Sequence, residues 1–139
     1  MAPDDSAAIM RRRRSWHPAP MDARLLRFGE IEVEGQRFAH DVIVDRGRVS
    51  RRSKGPSKSR RDEFGHTPLT AAEPIPWGPR GSILVVGTGM DGMLPIADDV
   101  EVEARRRGVD VVVLPTREAC RFLRDTPTAE VRAVLHVTC

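Results

Sequence analysis

Gly81-Ser82-Ile83-Leu84-Val85-Val86-Gly87-Thr88-Gly89-Met90-Asp91-Gly92 decides the fold. Ile83 to Val86 form an unbroken apolar run with no polar alternation, the mark of a strand buried on both faces. The glycines after it allow a tight turn and a close approach of backbone to a neighbour. About two dozen residues later the design returns in Val109-Asp110-Val111-Val112-Val113-Leu114-Pro115-Thr116. Between the two lies Ala97 to Gly108. Ile96, Val100 and Ala104 are spaced by four and share a helix face, with acids early, arginines late and a closing glycine. Strand, helix, strand is a βαβ unit, so the two strands should pair in parallel with their carboxyl ends side by side.

Outward from this unit, Thr116 to Arg124 reads as a second helix with Thr116 as N-cap and Ala119, Phe122 and Leu123 as its buried stripe. Val131 to Val137 reads as a closing strand. Upstream, Arg24 to Phe28 reads as a short strand, and Glu30-Ile31-Glu32-Val33-Glu34 alternates cleanly. Gly35-Gln36 then turns the chain into Arg37-Phe38, a hairpin. Asp41 to Val44 is a further strand, ended by Asp45-Arg46-Gly47-Arg48. Val49 to Asp62 carries Arg51, Arg52, Lys54, Lys58, Arg60 and Arg61 with no apolar period, and reads as a long basic loop. Residues 1–22 read as a disordered basic tail, because an arginine run and three prolines offer too little burial to offset ordering entropy. The expected domain is 23–139, and Met21 is a candidate alternative start.

The chain has 139 residues, 40% hydrophobic and 4% aromatic with no Tyr, so its core must be mainly Val, Leu, Ile and Ala. The net charge of +3 hides local arginine clusters at Arg11–Arg14 and Arg46–Arg61. No run reaches the length of a membrane-spanning helix, and no apolar segment follows the N-terminal charges as a secretory signal requires. Two cysteines make no disulfide framework. These features describe a soluble cytoplasmic protein with free thiols and no membrane association.

The Gly87-Thr88-Gly89 turn, the helix closed by Gly108, and the strand Val109 to Leu114 followed by Thr116 and Ala119 lead to Leu135-His136-Val137-Thr138-Cys139. With the early hairpin and His66-Thr67-Pro68-Leu69, this order resembles the Mth938-like domain family over about residues 24 to 139. The basic loop from Arg51 to Arg61 departs from the family in length and charge. Phe122-Leu123 stands where an aromatic followed by Asn is expected. The resemblance implies one compact α/β domain with a mixed central sheet, helices packed on it and an N-terminal β-hairpin. Relatives include a respiratory complex I assembly factor and a vertebrate protein linked to adipocyte differentiation. It therefore implies a non-enzymatic interaction or assembly module with a protein partner, and it brings no catalytic residues and no cofactor.

Gly87 to Gly92 fits G-x-G-x-x-G after a strand, the dinucleotide fingerprint. Pro95 delays the helix, however, and Pro115-Thr116 stands where an acid should hold a ribose. The expectation is a tight turn with room for a small anion. The ligand-binding candidates are Gly87, Thr88, Gly89, Thr116 and His136, which would serve a small-ligand binder or a small enzyme. Cys139 is the reactive-thiol candidate, since a nearby imidazole lowers a thiol pKa. In a continuing strand, though, His136 shares its face with Thr138 and not with Cys139. Cys120 reads as a small core residue. His66 is a lone loop histidine without further ligands, so no metal site is expected. The basic loop lacks aromatics for base stacking, and nucleic acid is not expected as a partner. With no nucleophile beside an evident activator, the balance leans away from an enzyme.

Overall fold

A computed structural model describes residues 20–139, apart from the side chain of Thr128. The expected disorder of residues 1–19 lies outside the described residues. Pro20 bridges Pro127, Met21 is 5% exposed within the core, and Asp22 exchanges hydrogen bonds with Glu34, so residues 20–22 are part of the fold.

The chain opens with three short antiparallel strands in the order β1-β2-β3: β1 Ala23–Arg27, β2 Glu30–Val33 and β3 Gln36–Phe38. Ile31 and Val33 are fully buried, as the alternation requires. Next comes a hairpin of β4 Val42–Asp45 and β5 Arg48–Arg51, turning at Arg46 and Gly47, both at positive φ. A 3-10 turn Gly55–Arg60 and a one-turn helix α1 Arg61–Phe64 follow. The expected long loop thus holds a strand and a helical turn. β5 escapes the apolar period because it is an edge strand with one apolar residue, Val49, paired to β4 on one side.

The βαβ unit stands as expected: β6 Ile83–Thr88, α2 Asp98–Arg107 and β7 Asp110–Leu114, with β6 and β7 parallel and Gly87 opposite Leu114. Gly108 ends α2 in the left-handed conformation at φ 68°. α3 Thr116–Asp125 and β8 Val131–His136 complete the chain. Pro115, not Thr116, holds the N-cap position of α3, and Thr116 turns its hydroxyl elsewhere. The main sheet has the order β5-β4-β8-β6-β7, with β8 parallel to β6 and antiparallel to β4, so it is mixed.

Strand period two sends alternate residues to two cores. Val42, Val44, Val85, Ala133 and Leu135 face α3 and the small sheet, where Ala119, Cys120 and Leu123 meet Leu25, Ile31 and Val33. Ile43, Leu84, Val86 and Val134 face α2 and the segment carrying Leu69, Ile75 and Trp77. β7 is an edge strand and Val113 is 48% exposed, so only the inner strands are buried on both faces. Phe122 is half-buried at the margin, and Cys120 takes the inward place on α3.

Candidate functional site

The carboxyl ends of β6 and β8 run side by side, with Thr88 opposite His136. Beyond them the glycine turn and residues 137–139 fold against each other. Met90 N donates to Thr138 O at 2.7 Å, while Asp91 N and Met93 N donate to Cys139 O at 3.1 and 3.0 Å. Gly89 sits at φ 105°, and a Cβ there would lie 2.3 Å from the Cys139 carbonyl carbon. Only glycine permits this approach. Gly89 N donates to Thr116 Oγ1 at 2.7 Å, and that hydroxyl donates to His136 O at 2.6 Å. Gly87 lets the helix come this near, since a Cβ would lie 2.8 Å from Thr116 Oγ1. The Thr88 hydroxyl donates to Leu114 O at 3.2 Å. Gly87, Thr88, Gly89 and Thr116 therefore do converge on His136, but they bond to the chain itself. The amides of Gly89, Met90, Asp91 and Met93 hold main-chain and hydroxyl oxygens where a bound anion would otherwise sit.

The His136 side chain leaves this clip and points the other way. Its Nδ1 lies 2.8 Å from Asp41 Oδ2, and its Nε2 lies 3.1 Å from Thr138 Oγ1. Asp41 stands just before β4, the strand paired to β8, which brings it to the imidazole across 95 residues of sequence. The same carboxylate accepts from Val137 N at 2.9 Å and from Arg52 Nη1 at 2.9 Å. Burial alone would raise the Asp41 pKa. The hydrogen bond and charge of His136, the Val137 amide and the Arg52 guanidinium outweigh it and bring the value down to about 2. Asp41 is therefore ionised at neutral pH.

Arg52 lies just past β5, with its side chain 1% exposed. Its fork grips Glu73 twice, at 2.8 Å each, and also donates to Pro68 O at 3.1 Å. Burial works against its charge, but Glu73 and then Asp41 raise its pKa. Glu73 also accepts from Ser57 Oγ at 2.6 Å, and Ser57 is linked to Thr70 at 2.7 Å. Unpaired charges at such depth would be prohibitive, whereas each group here has partners. Part of the basic segment is thus an internal brace, not a solvated loop.

A cleft of roughly 190 Å³ opens on the end of this line. Lys54, Arg61 and His66 border it, together with His136, Thr138 and Cys139, and no Asp or Glu is among its lining residues. Among the described residues neither Lys54 nor Arg61 has an ion-pair partner. Cys139 shares the cleft with His136, but the imidazole bonds Thr138 as the strand period requires. Cys120 is buried on α3, and burial pushes its thiol up to about 11. Among the described residues no group of His, Cys, Asp and Glu has the arrangement of a metal site.

Asp41, Arg52 and Glu73 are the residues that sequence reasoning missed. The usable signal was an acid directly preceding a strand and facing a histidine on a strand of similar apolar length.

The model of the family described as "Protein of unknown function (DUF498/DUF598)" matches residues 24–125. Among solved structures, the conserved hypothetical protein PH1505 from Pyrococcus horikoshii OT3 is 28% identical with a TM-score of 0.68, covering 86% of this chain and 100% of that one. A structure named MT938 is 26% identical with a TM-score of 0.65, covering 86% and 99%. A protein described as an outer membrane protein from Bartonella henselae shares the fold alone, at 15% identity, a TM-score of 0.54 and coverage of 88% and 98%. No curated protein matches the chain. Among the described residues no helix is long and apolar enough to cross a membrane.

Proposed function

Because the chain belongs to the DUF498/DUF598, Mth938-like family, whose function is unknown, we propose a role from its own cleft: it binds a small anionic group, a carboxylate or phosphate, carried by a metabolite or a partner. The observation that carries this reading is the lining. Lys54, Arg61, His66, His136 and Thr138 converge on one concavity that no Asp or Glu side chain lines. Few convergent polar groups in a concave site are the usual minimum for a ligand. The anion therefore sits beside His136 and not inside the glycine turn.

Thermal unfolding with inorganic phosphate and with citrate tests it. At roughly ten times the Kd a ligand specific to the native state stabilises by about 1.4 kcal/mol. The melting temperature should rise saturably, and the Lys54→Ala/Arg61→Ala double variant should abolish the rise. No rise, or one the double variant retains, refutes the reading.

An interaction or assembly role is a second reading, and it rests on a different surface. Arg117, Arg121 and Arg124 on α3 and Arg24 on β1 line a groove of roughly 310 Å³ beside Leu25 and Leu26. Its charge suits an acidic protein segment, because arginine forks match carboxylates. Poly-L-glutamate should bind the protein in low salt and lose affinity in Arg117→Glu/Arg121→Glu. Equal binding by that variant would remove the support for this reading.

A further inference from the structure

Asp41, His136 and Thr138 form one hydrogen-bonded line that ends in the cleft. An ionised carboxylate only accepts, so the hydrogen lies on His136 Nδ1. In the neutral imidazole Nε2 then carries a lone pair, and the Thr138 hydroxyl is its donor. A hydroxyl within reach of a base, with the base oriented by a third group, is the general arrangement of an activated nucleophile. The strand period produces it here, since residues 136 and 138 lie on one face.

Three further features fit this use better than simple packing. The Asp41 carboxylate is fixed by Val137 N and Arg52 Nη1, so it cannot turn away from the imidazole. The Thr138 main chain is pinned by Met90 N, which holds the hydroxyl beside Nε2. Thr138 lines the same cleft that Lys54 and Arg61 border, so a substrate anchored there by an anionic group would lie beside it.

The geometry points to a hydrolytic site in which Thr138 is the nucleophile, His136 the general base and Asp41 the positioning acid, acting on a small ester whose acyl group carries a carboxylate. This rests on the anion-binding reading of the cleft, because Lys54 and Arg61 would hold that carboxylate. Thr138 Oγ1 attacks the ester carbonyl carbon, and its proton passes to His136 Nε2. The imidazolium is stabilised by Asp41, which keeps its charge. The C–O bond to the alcohol breaks, and Nε2 returns the proton to the departing oxygen. Water then gives a proton to Nε2 and adds to the acyl carbon, and the Thr138 oxygen leaves carrying that proton. The sum is ester plus water to acid plus alcohol, with no change of oxidation state. The cleft, of roughly 190 Å³, suits a small acyl group.

The test uses the full chain with mono-4-nitrophenyl succinate, and with 4-nitrophenyl butyrate as the neutral acyl group of equal length. Expected are faster release from the succinate ester and a succinyl group on Thr138, found by quenching and peptide mass spectrometry. Thr138→Ala and His136→Ala should each lose about a hundredfold or more of the rate. Thr138→Ser should retain activity and the adduct, and Asp41→Asn should lower kcat with KM little changed. Thr138→Ala leaves the buried pair intact and so serves even if His136→Ala fails to fold. No turnover, turnover unaffected by Thr138→Ala, or an acyl group on Cys139 instead would overturn the proposal. Phosphate stabilisation without turnover would sink the hydrolytic site alone, whereas loss of both would sink the anion reading as well.

Discussion

Replacing Arg52 by Met tests how the site is held. The substitution keeps an apolar stem but removes a guanidinium whose side chain is 1% exposed. It leaves Glu73, 1% exposed, and Asp41, 9% exposed, without their shared cation. Breaking a buried pair from one side costs about 3–5 kcal/mol, because the remaining charge stays buried and uncompensated. With a urea m-value near 2 kcal/mol/M, the midpoint should fall by about 2 M at neutral pH.

The pH dependence separates this cause from lost packing. Without Arg52, Asp41 keeps His136 and the Val137 amide, which outweigh Arg52 in lowering its pKa. Glu73, however, is stranded as a buried charge without a cation, and a proton taken up there relieves that cost only in the folded variant. Its stability therefore rises as the pH is lowered from neutral toward the ordinary carboxylate range. The gap to the parent protein should narrow over that interval. Urea titrations of both proteins at several pH values measure it. A loss below about 1 kcal/mol, typical of an exposed pair, would refute the brace. So would a loss that does not change with pH.

Other predictions concern neighbouring parts of the site. Gly89→Ala should destabilise far more than Gly35→Ala in thermal unfolding: both glycines have positive φ, but only at Gly89 does the added carbon strike backbone, at 2.3 Å. In the parent protein the Asp41 pKa is lowered from 3.8 to about 2. Its contribution is present above the unfolded value and is lost as pH falls through the folded one. Stability should thus drop by about 2 kcal/mol across that interval, a part that Asp41→Asn removes. Iodoacetamide near neutral pH should label Cys139 and spare Cys120, whose thiol burial pushes to about 11, and peptide mass spectrometry reads the ratio. Labelling of native Cys120 at a comparable rate would contradict its placement in the core.

The central architecture was legible because each of its signals is local. The apolar run at Ile83 to Val86, the acid-to-arginine polarity of α2 and the glycine at 108 each act within a few residues. β5 was not legible, since Arg48-Val49-Ser50-Arg51 is mostly polar and exists through its pairing with β4. Thr116 has N-cap chemistry, yet its hydroxyl is claimed by Gly89 in the glycine turn and His136 at the end of β8. The candidate site shows the same division. His136 and Cys139 stood out by residue type, and the shared face of His136 and Thr138 followed from the strand period. Asp41, Arg52 and Glu73 meet across 11 and 21 residues of sequence, and nothing in a basic, proline-punctuated segment marks one arginine as buried among six similar charges.

The position of the brace matters more than its strength. Burying three charged groups is a poor route to stability, and apolar residues of similar volume would often serve as well. What a packed apolar cluster would not supply is direction. Arg52 Nη1 holds Oδ2 of Asp41 and the Val137 amide holds Oδ1, so the carboxylate is locked in the one orientation that also sets Oδ2 against His136. On the opposite side, the glycine turn fastens the main chain of Thr138 and Cys139. The imidazole and the hydroxyl are thereby held between two rigid supports that come from five separate segments of the chain. Structural histidines need no such support, but a base that must face one hydroxyl in one tautomer does. If the brace exists for direction, Arg52→Met/Glu73→Leu should recover much of the stability lost by Arg52→Met, because it removes a stranded carboxylate. It should not recover turnover of the succinate ester, since Asp41 would still lack its second anchor. Recovery of both together would mean that the network serves stability alone.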